Sequence, residues 1–151
     1  MDTIVGTAGN DTVTAILGTG ATLTANDSID LGAGTGDVVN VRADGAATIP
    51  SLTLTGVETL NISSPSTVTS NTTAASVTGL LNVNIISADD VAATAAGTTN
   101  VVVTASDLSA GAGTELGVEG GKNVTTTSAD SVTGDTGGAG AVASSTIVIG
   151  G

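Results

Sequence analysis

Among its 151 residues the chain has no Phe, Tyr or Trp, and this one absence limits its folds more than any motif does. In most small domains aromatic rings fill much of the core, because each buries a large area. Here the interior has to come from Ala, Val, Leu and Ile, which make up almost all of the 40% hydrophobic content. Small and β-branched side chains fill space well when each stacks on others of its kind in successive layers. A parallel β-solenoid meets that requirement. Charged residues reach only 11%, which separates the chain from highly charged disordered polymers.

The local pattern agrees. Gly occurs 22 times, and no window repeats apolar residues at helical spacing over several turns. Short alternating runs predict strands instead, at Thr12-Val13-Thr14, Thr22-Leu23-Thr24, Leu52-Thr53-Leu54-Thr55, Leu60-Asn61-Ile62, Val83-Asn84-Ile85, Val101-Val102-Val103 and Ile147-Val148-Ile149. Gly, Asn, Asp, Ser and Pro separate them, as turn residues do. The Gly-, Ala- and Ser-rich stretches 111–121 and 130–145 read as long corners or surface loops.

An Asn followed by Val or Ile recurs at Asn40, Asn61, Asn84, Asn100 and Asn123, in steps of 21, 23, 16 and 23 residues. That interval suits one solenoid turn of two or three short strands. Turns about 4.8 Å apart would stack six of them into a rod on the order of 30 Å long. Asn and Thr would ladder at the corners. A β-sandwich, whose strands recur every 8 to 12 residues or so, is the alternative. Residues 1–151 are read as a single β-rich domain, with a Gly- and Asp-rich start over 1–40 and repeating turns over 41–151.

Charge and residue types exclude whole classes of function. Fourteen acidic residues against Arg42 and Lys122 give a net charge of −12, which repels nucleic acid and favours divalent cations. His and Cys are absent as well, so an imidazole base, a thiolate nucleophile and soft metal ligands are all missing. The chain is therefore not expected to be an enzyme. Asp89-Asp90 is a paired carboxylate, but neighbours on a strand point to opposite faces and would not converge on one substrate. Gly120-Gly121-Lys122 is followed by Asn123, which breaks the phosphate-loop pattern. Thr-x-Thr pairs at Thr12/Thr14, Thr22/Thr24, Thr53/Thr55, Thr67/Thr69 and Thr125/Thr127 share no period, so they read as strand formers rather than one flat Thr face. No run approaches the roughly 20 apolar residues of a membrane helix, so membrane insertion is not expected. Met1 to Ala15 lacks both the basic start and the apolar core of a cleaved secretion signal.

Gly6-Thr7-Ala8-Gly9-Asn10-Asp11-Thr12-Val13-Thr14 follows the spacing GGxGxDxUx with Thr7 at the second Gly. In that pattern glycines allow the tight turn, carbonyls point inward and the Asp reaches a cation that takes six to eight oxygens. Leu31-Gly32-Ala33-Gly34-Thr35-Gly36-Asp37-Val38 repeats it with one extra residue before the Asp, and Asp27 and Asp30 lie close by in sequence. These carboxylates, Asp11, Asp27, Asp30 and Asp37, are the candidate Ca2+ ligands, with Asp107 and Asp130 behind them. Turn formation is the other role open to every one of them.

Over residues 6–63, where Asp27 to Thr35 is followed by Gly56-Val57-Glu58-Thr59-Leu60-Asn61-Ile62, the chain resembles the calcium-binding RTX repeats of bacterial proteins exported by type I secretion. Among these it is most similar to S-layer and adhesin members. Membership would imply an extracellular or cell-surface location on a bacterium, calcium-supported folding and ordered self-assembly, without catalysis. One departure stands out: family nonapeptides follow one another directly, whereas Asp11 and Asp37 are 26 residues apart.

The expected function is therefore structural, as a self-assembling subunit or module of a filament or S-layer. The alternative is a calcium-dependent adhesin module that binds a surface or glycan. The partner would be a second copy of the chain. Ile4 and Val5 near the start and Ile147, Val148 and Ile149 near the end are the apolar strand formers expected to join copies by strand pairing.

Overall fold

The computed structural model describes residues 1–106 and 116–128 and the backbone of 147–150. Every strand pairing in it is parallel. The strands of each sheet come from successive turns of the chain, and no two consecutive strands pair; sheets B and C run on after sheet A ends at its third strand. Sheet A holds β1 (Thr3–Val5), β3 (Ser28–Asp30) and β6 (Thr53–Thr55). Sheet B holds β2 (Thr12–Leu17), β4 (Val38–Ala43), β7 (Thr59–Ser64), β9 (Asn82–Ser87), β11 (Asn100–Ala105) and β13 (Val124–Ser128). Sheet C holds β5 (Ala47–Thr48), β8 (Val68–Asn71), β10 (Val91–Ala95), β12 (Leu116–Gly120) and β14 (Ile147–Gly150). This is a β-solenoid of about five turns, one fewer than the spacing of Asn residues predicts. A sandwich is ruled out, since its sheets are antiparallel.

Alternation places the core. In β4, β7 and β9 every second residue is buried, and the buried sets stack in register. Val39, Leu60, Val83 and Val101 form one interior column, and Val41, Ile62, Ile85 and Val103 the next, all at most 2% exposed. Sheet C contributes Val68, Val91 and Leu116 from the opposite wall, and sheet A contributes Ile29 and Leu54. Each aliphatic side chain therefore meets its like above and below. That arrangement supplies dense packing without aromatic rings.

Two strand expectations change. Thr22-Leu23-Thr24 is no strand: the Thr22 and Leu23 N–H groups both donate to the Ile16 carbonyl, closing a loop that tucks Leu23 into the core. Conversely, Leu116–Gly120, read as part of a Gly-rich corner, is strand β12, paired with β10 over five residues. Burying Leu116 and Val118 outweighs the poor strand propensity of the intervening Gly117. The stretch 130–145 lies outside the described residues. The Gly- and Asp-rich start is built into the same stack, because β1 pairs with β3 and β2 with β4. The Thr pairs scatter, with Thr12/Thr14 and Thr125/Thr127 on sheet B and Thr53/Thr55 on sheet A.

Turn length varies while register does not. Successive turns along sheet B take 26, 21, 23, 18 and 23 residues. Strands keep their length and the corners absorb the difference. At the crowded corner between sheets A and B, Gly56 has φ +61°, and a Cβ there would stand 2.3 Å from the Gly32 carbonyl oxygen. Both conditions demand glycine.

Candidate functional site

The polar side chains are organised along the solenoid axis. On the outer side of sheet B the Asn61 amide donates to Asn40 Oδ1 and the Asn84 amide to Asn61 Oδ1, each at 2.8 Å. A second column begins two residues earlier on the strands. There Asn100 donates to Asn82 at 3.1 Å and Asn123 to Asn100 at 2.8 Å. The irregular step of 16 residues in the Asn repeat is now explained. Asn84 lies level with Val102, while Asn100 lies level with Asn82, so the repeat crosses from one column to the other where the turn shortens to 18. The ladders run up the sheet face rather than along its corners.

Serine does the corresponding work where sheet B turns into sheet C. Ser64 Oγ donates to the Gly45 carbonyl one turn below at 2.7 Å and accepts the Ser66 N–H. Ser87 repeats the arrangement, donating to the Ser66 carbonyl at 2.5 Å and accepting the Asp89 N–H. Each hydroxyl closes its own corner and binds it to the one beneath. The sequence signal is a Ser two residues before another polar residue at the end of a sheet B strand.

The two Gly- and Asp-rich elements lie on adjacent turns. Twenty-six residues is one circuit, so the separation that departs from the nonapeptide spacing instead stacks one copy on the other. A Cβ on Gly32 would meet the Thr7 carbonyl, one on Gly34 the Gly9 carbonyl, and one on Gly36 the Asn10 side chain. Asp37 Oδ1 accepts the Asp11 N–H at 2.6 Å, and Glu58 Oε2 accepts the Asp37 N–H at 2.8 Å. An acidic residue thus stands just before each of three consecutive sheet B strands, and the second and third, Asp37 and Glu58, bridge to the turn below. Glu58 belongs to this series and was not among the candidates. Its signal was an acid immediately ahead of an alternating run, shared by Asp11-Thr12, Asp37-Val38 and Glu58-Thr59.

The four candidate Ca2+ ligands do not converge. Among the described residues no three acidic groups gather as a metal-binding set. Asp27 sits buried in the corner between sheets C and A. It accepts the Thr24 N–H, the Asp2 N–H and the Thr24 hydroxyl, with the amino group of Met1 3.6 Å away. The Thr24 and Asp2 N–H groups hold its carboxyl below the usual range, against the opposing effect of burial. Asp44 behaves alike, lowered chiefly by the Thr19 N–H. Asp30 is exposed at the end of β3 and accepts the Gly32 N–H at 3.1 Å. Asp11 Oδ2 takes the N–H and hydroxyl of Thr7.

Asp37 differs. It is fully buried, and Oδ2 has no hydrogen-bond partner among the described residues. A Cβ on Gly34 would lie 2.6 Å from that oxygen and 2.7 Å from the Gly9 carbonyl oxygen, so glycine alone leaves the space between them open. Two oxygens brought together over Gly34 are the donor type a hard cation takes; Asp27, with both oxygens engaged, offers none. Asp107 and Asp130 lie outside the described residues.

The apolar strand formers named for self-association lie at opposite ends of the stack. Ile4 and Val5 are exposed on β1, the edge of sheet A, and Ile147, Val148 and Ile149 lie on β14, the far edge of sheet C. Ser28 N–H donates to the Asp2 carbonyl and Gly6 N–H to the Asp30 carbonyl. Even-numbered residues of β1 therefore bond inward, and the N–H and C=O groups of Thr3 and Val5 point to the open edge. A groove of about 200 Å³ near Pro50 is lined by Leu, Val, Ile, Ala, Ser, Thr and Asn without a titratable group. It holds no acid–base chemistry. No helix among the described residues is long and apolar enough to cross a membrane. Comparison with protein-family models, curated proteins and solved structures gives no match.

Proposed function

We propose that this chain is a structural, self-assembling module of an extracellular bacterial filament or surface layer, with no catalytic role. The observation that carries the reading is the open edge of the first turn. There the Thr3 and Val5 backbone groups face away from β3 and meet no other strand among the described residues, and Val5 is 74% exposed. An exposed parallel edge is a template for another strand. A further turn supplied by a second copy would add strands beside β1 and β2, the edges of sheets A and B at this end of the stack. The Asn, Ser and acidic side chains described above support the same reading, since they serve neighbouring turns rather than a converging site.

Calcium enters the proposal at one place. Asp37 Oδ2 with the Gly9 carbonyl would hold the ion, and Asp11 and Glu58 would fix the adjoining turns. The ion would supply positive charge where a buried carboxylate has none. Such binding would favour the folded chain and lower the repulsion between copies that each carry −12.

The test is negative-stain electron microscopy of the chain with millimolar calcium and with chelator, beside Val5→Pro. Proline at Val5 deletes an N–H that points outward and leaves the bonds between β1 and β3 in place. Filaments or sheets from the parent chain that Val5→Pro does not form are the expected result, more abundant with calcium. Isolated particles from the parent chain in both solutions would refute assembly and favour an adhesin module.

A further inference from the structure

Sheet B is set apart by charge. None of the fourteen acidic residues falls within any of its six strands, and its outward positions are Thr, Asn, Ser, Val and Ile with Arg42 the sole charged side chain. The other two sheets carry outward acids, Asp30 on β3 and Glu119 on β12. The corners flanking sheet B are acidic too, with Asp11, Asp37 and Glu58 before its strands and Asp44, Asp89 and Asp90 after them. In a chain of net charge −12, sheet B is thus a plane free of carboxylates with an acidic rim.

The same plane carries exposed apolar side chains. Ile16, Ile86 and Val102 face outward from it at 41%, 60% and 41% exposure. Parallel sheets are ordinarily covered on both faces, and here only the inner face is covered by the core.

We infer that sheet B is the contact face of a lateral pair, in which two copies of this chain meet plane to plane about a twofold axis. Three observations select a second copy as the occupant. Like-charged copies can approach closely only where neither presents acid, and that is this plane. Its Asn and Thr side chains are donors and acceptors at once, so the surface is complementary to itself, as a twofold contact requires. Its extent is also sufficient. Six strands about 4.8 Å apart and six residues of about 3.3 Å give about 24 by 20 Å, on the order of 1,000 Å² for the two sides together, which is the lower bound of a specific interface. This goes beyond end-to-end growth, and the two modes close differently: a twofold pair stops at two copies, whereas strand pairing at the edges continues without limit.

The test is sedimentation equilibrium of the full chain across concentration and salt, in the parent and in the Val5→Pro variant that blocks edge growth. The expected result is a species of twice the 14.1 kDa mass in Val5→Pro. It should tighten as salt rises from about 10 mM to about 150 mM, because screening shrinks from roughly 30 Å to 8 Å and relieves the acidic rims. Adding Ile86→Glu and Val102→Glu, both outward, should give a monomer with unchanged far-ultraviolet circular dichroism. Mixing those Glu chains with the matching Lys chains should restore a pair. A monomer throughout in Val5→Pro, or pairing that the Glu substitutions leave within twofold, overturns the inference. A parent chain that pairs but forms no filaments refutes edge growth and leaves the pair standing, so the two failures are distinguishable.

Discussion

Replacing Asn61 by Ala tests whether the ladders hold the turns together. Asn61 is the middle rung of its column, donating to Asn40 and accepting from Asn84, both at 2.8 Å. Asn40 takes part in one of these bonds only. A net hydrogen bond contributes about 0.5–1.5 kcal/mol, so Asn61→Ala should cost about 2 kcal/mol and Asn40→Ala about half of that. For a chain of this size 1 kcal/mol moves the melting temperature by about 2–4 °C, which puts Asn61→Ala about 4–8 °C below the parent. Melting followed by far-ultraviolet circular dichroism is the assay, as no aromatic reporter exists. Ser63→Ala, two residues along the same outward face, belongs to neither column and serves as control. The two-to-one ratio between Asn61 and Asn40 matters more than either value. Equal losses, or an Asn61→Ala chain melting within about 1 °C of the parent, would refute the reasoning.

Two further outcomes follow from individual residues. Gly56→Ala forces a side chain into φ +61° and against the Gly32 carbonyl; the conformation alone costs about 1–2 kcal/mol, so denaturant melts should show a clear loss of midpoint where Gly45→Ala, in open space, shows little. Asp27 has a lowered pKa in the folded chain, so its contribution is present above the ordinary value of 3.8 and is lost as pH falls through the folded value; Asp27→Asn should flatten the stability profile below pH 4 or so, and an unchanged acid limb would contradict the assignment.

The architecture was legible in the sequence because its cause is compositional. A core without rings calls for stacked aliphatic layers, and the alternation at Leu60-Asn61-Ile62 or Val83-Asn84-Ile85 states which side chain faces in. The Asn repeat was legible too, but not its two columns, because sequence spacing mixes turn length with position along the strand. Only the register of β9 and β11 separates them. Sheet C was the hardest to read: β8 (Val68–Asn71) and β10 (Val91–Ala95) are rich in Ser, Thr, Asn and Ala, and their strand state comes from the neighbours they pair with. The candidate ligands divide for a similar reason. Asp11 and Asp37 meet because 26 residues close one circuit, whereas Asp27 and Asp30, close in sequence, serve a different corner and an outer face.

The varying circuits, 26, 21, 23, 18 and 23 residues, make this a scaffold with separate rules for its walls and its corners. One residue added inside a wall reverses inside and outside for everything beyond it. A segment added at a corner leaves both adjoining walls in register, and doubling the length of a loop costs only about 0.6 kcal/mol in closure entropy. Corners are thus the places where such a chain can gain or lose peptide over generations, and where a foreign segment could be carried outward at a fixed height along the rod.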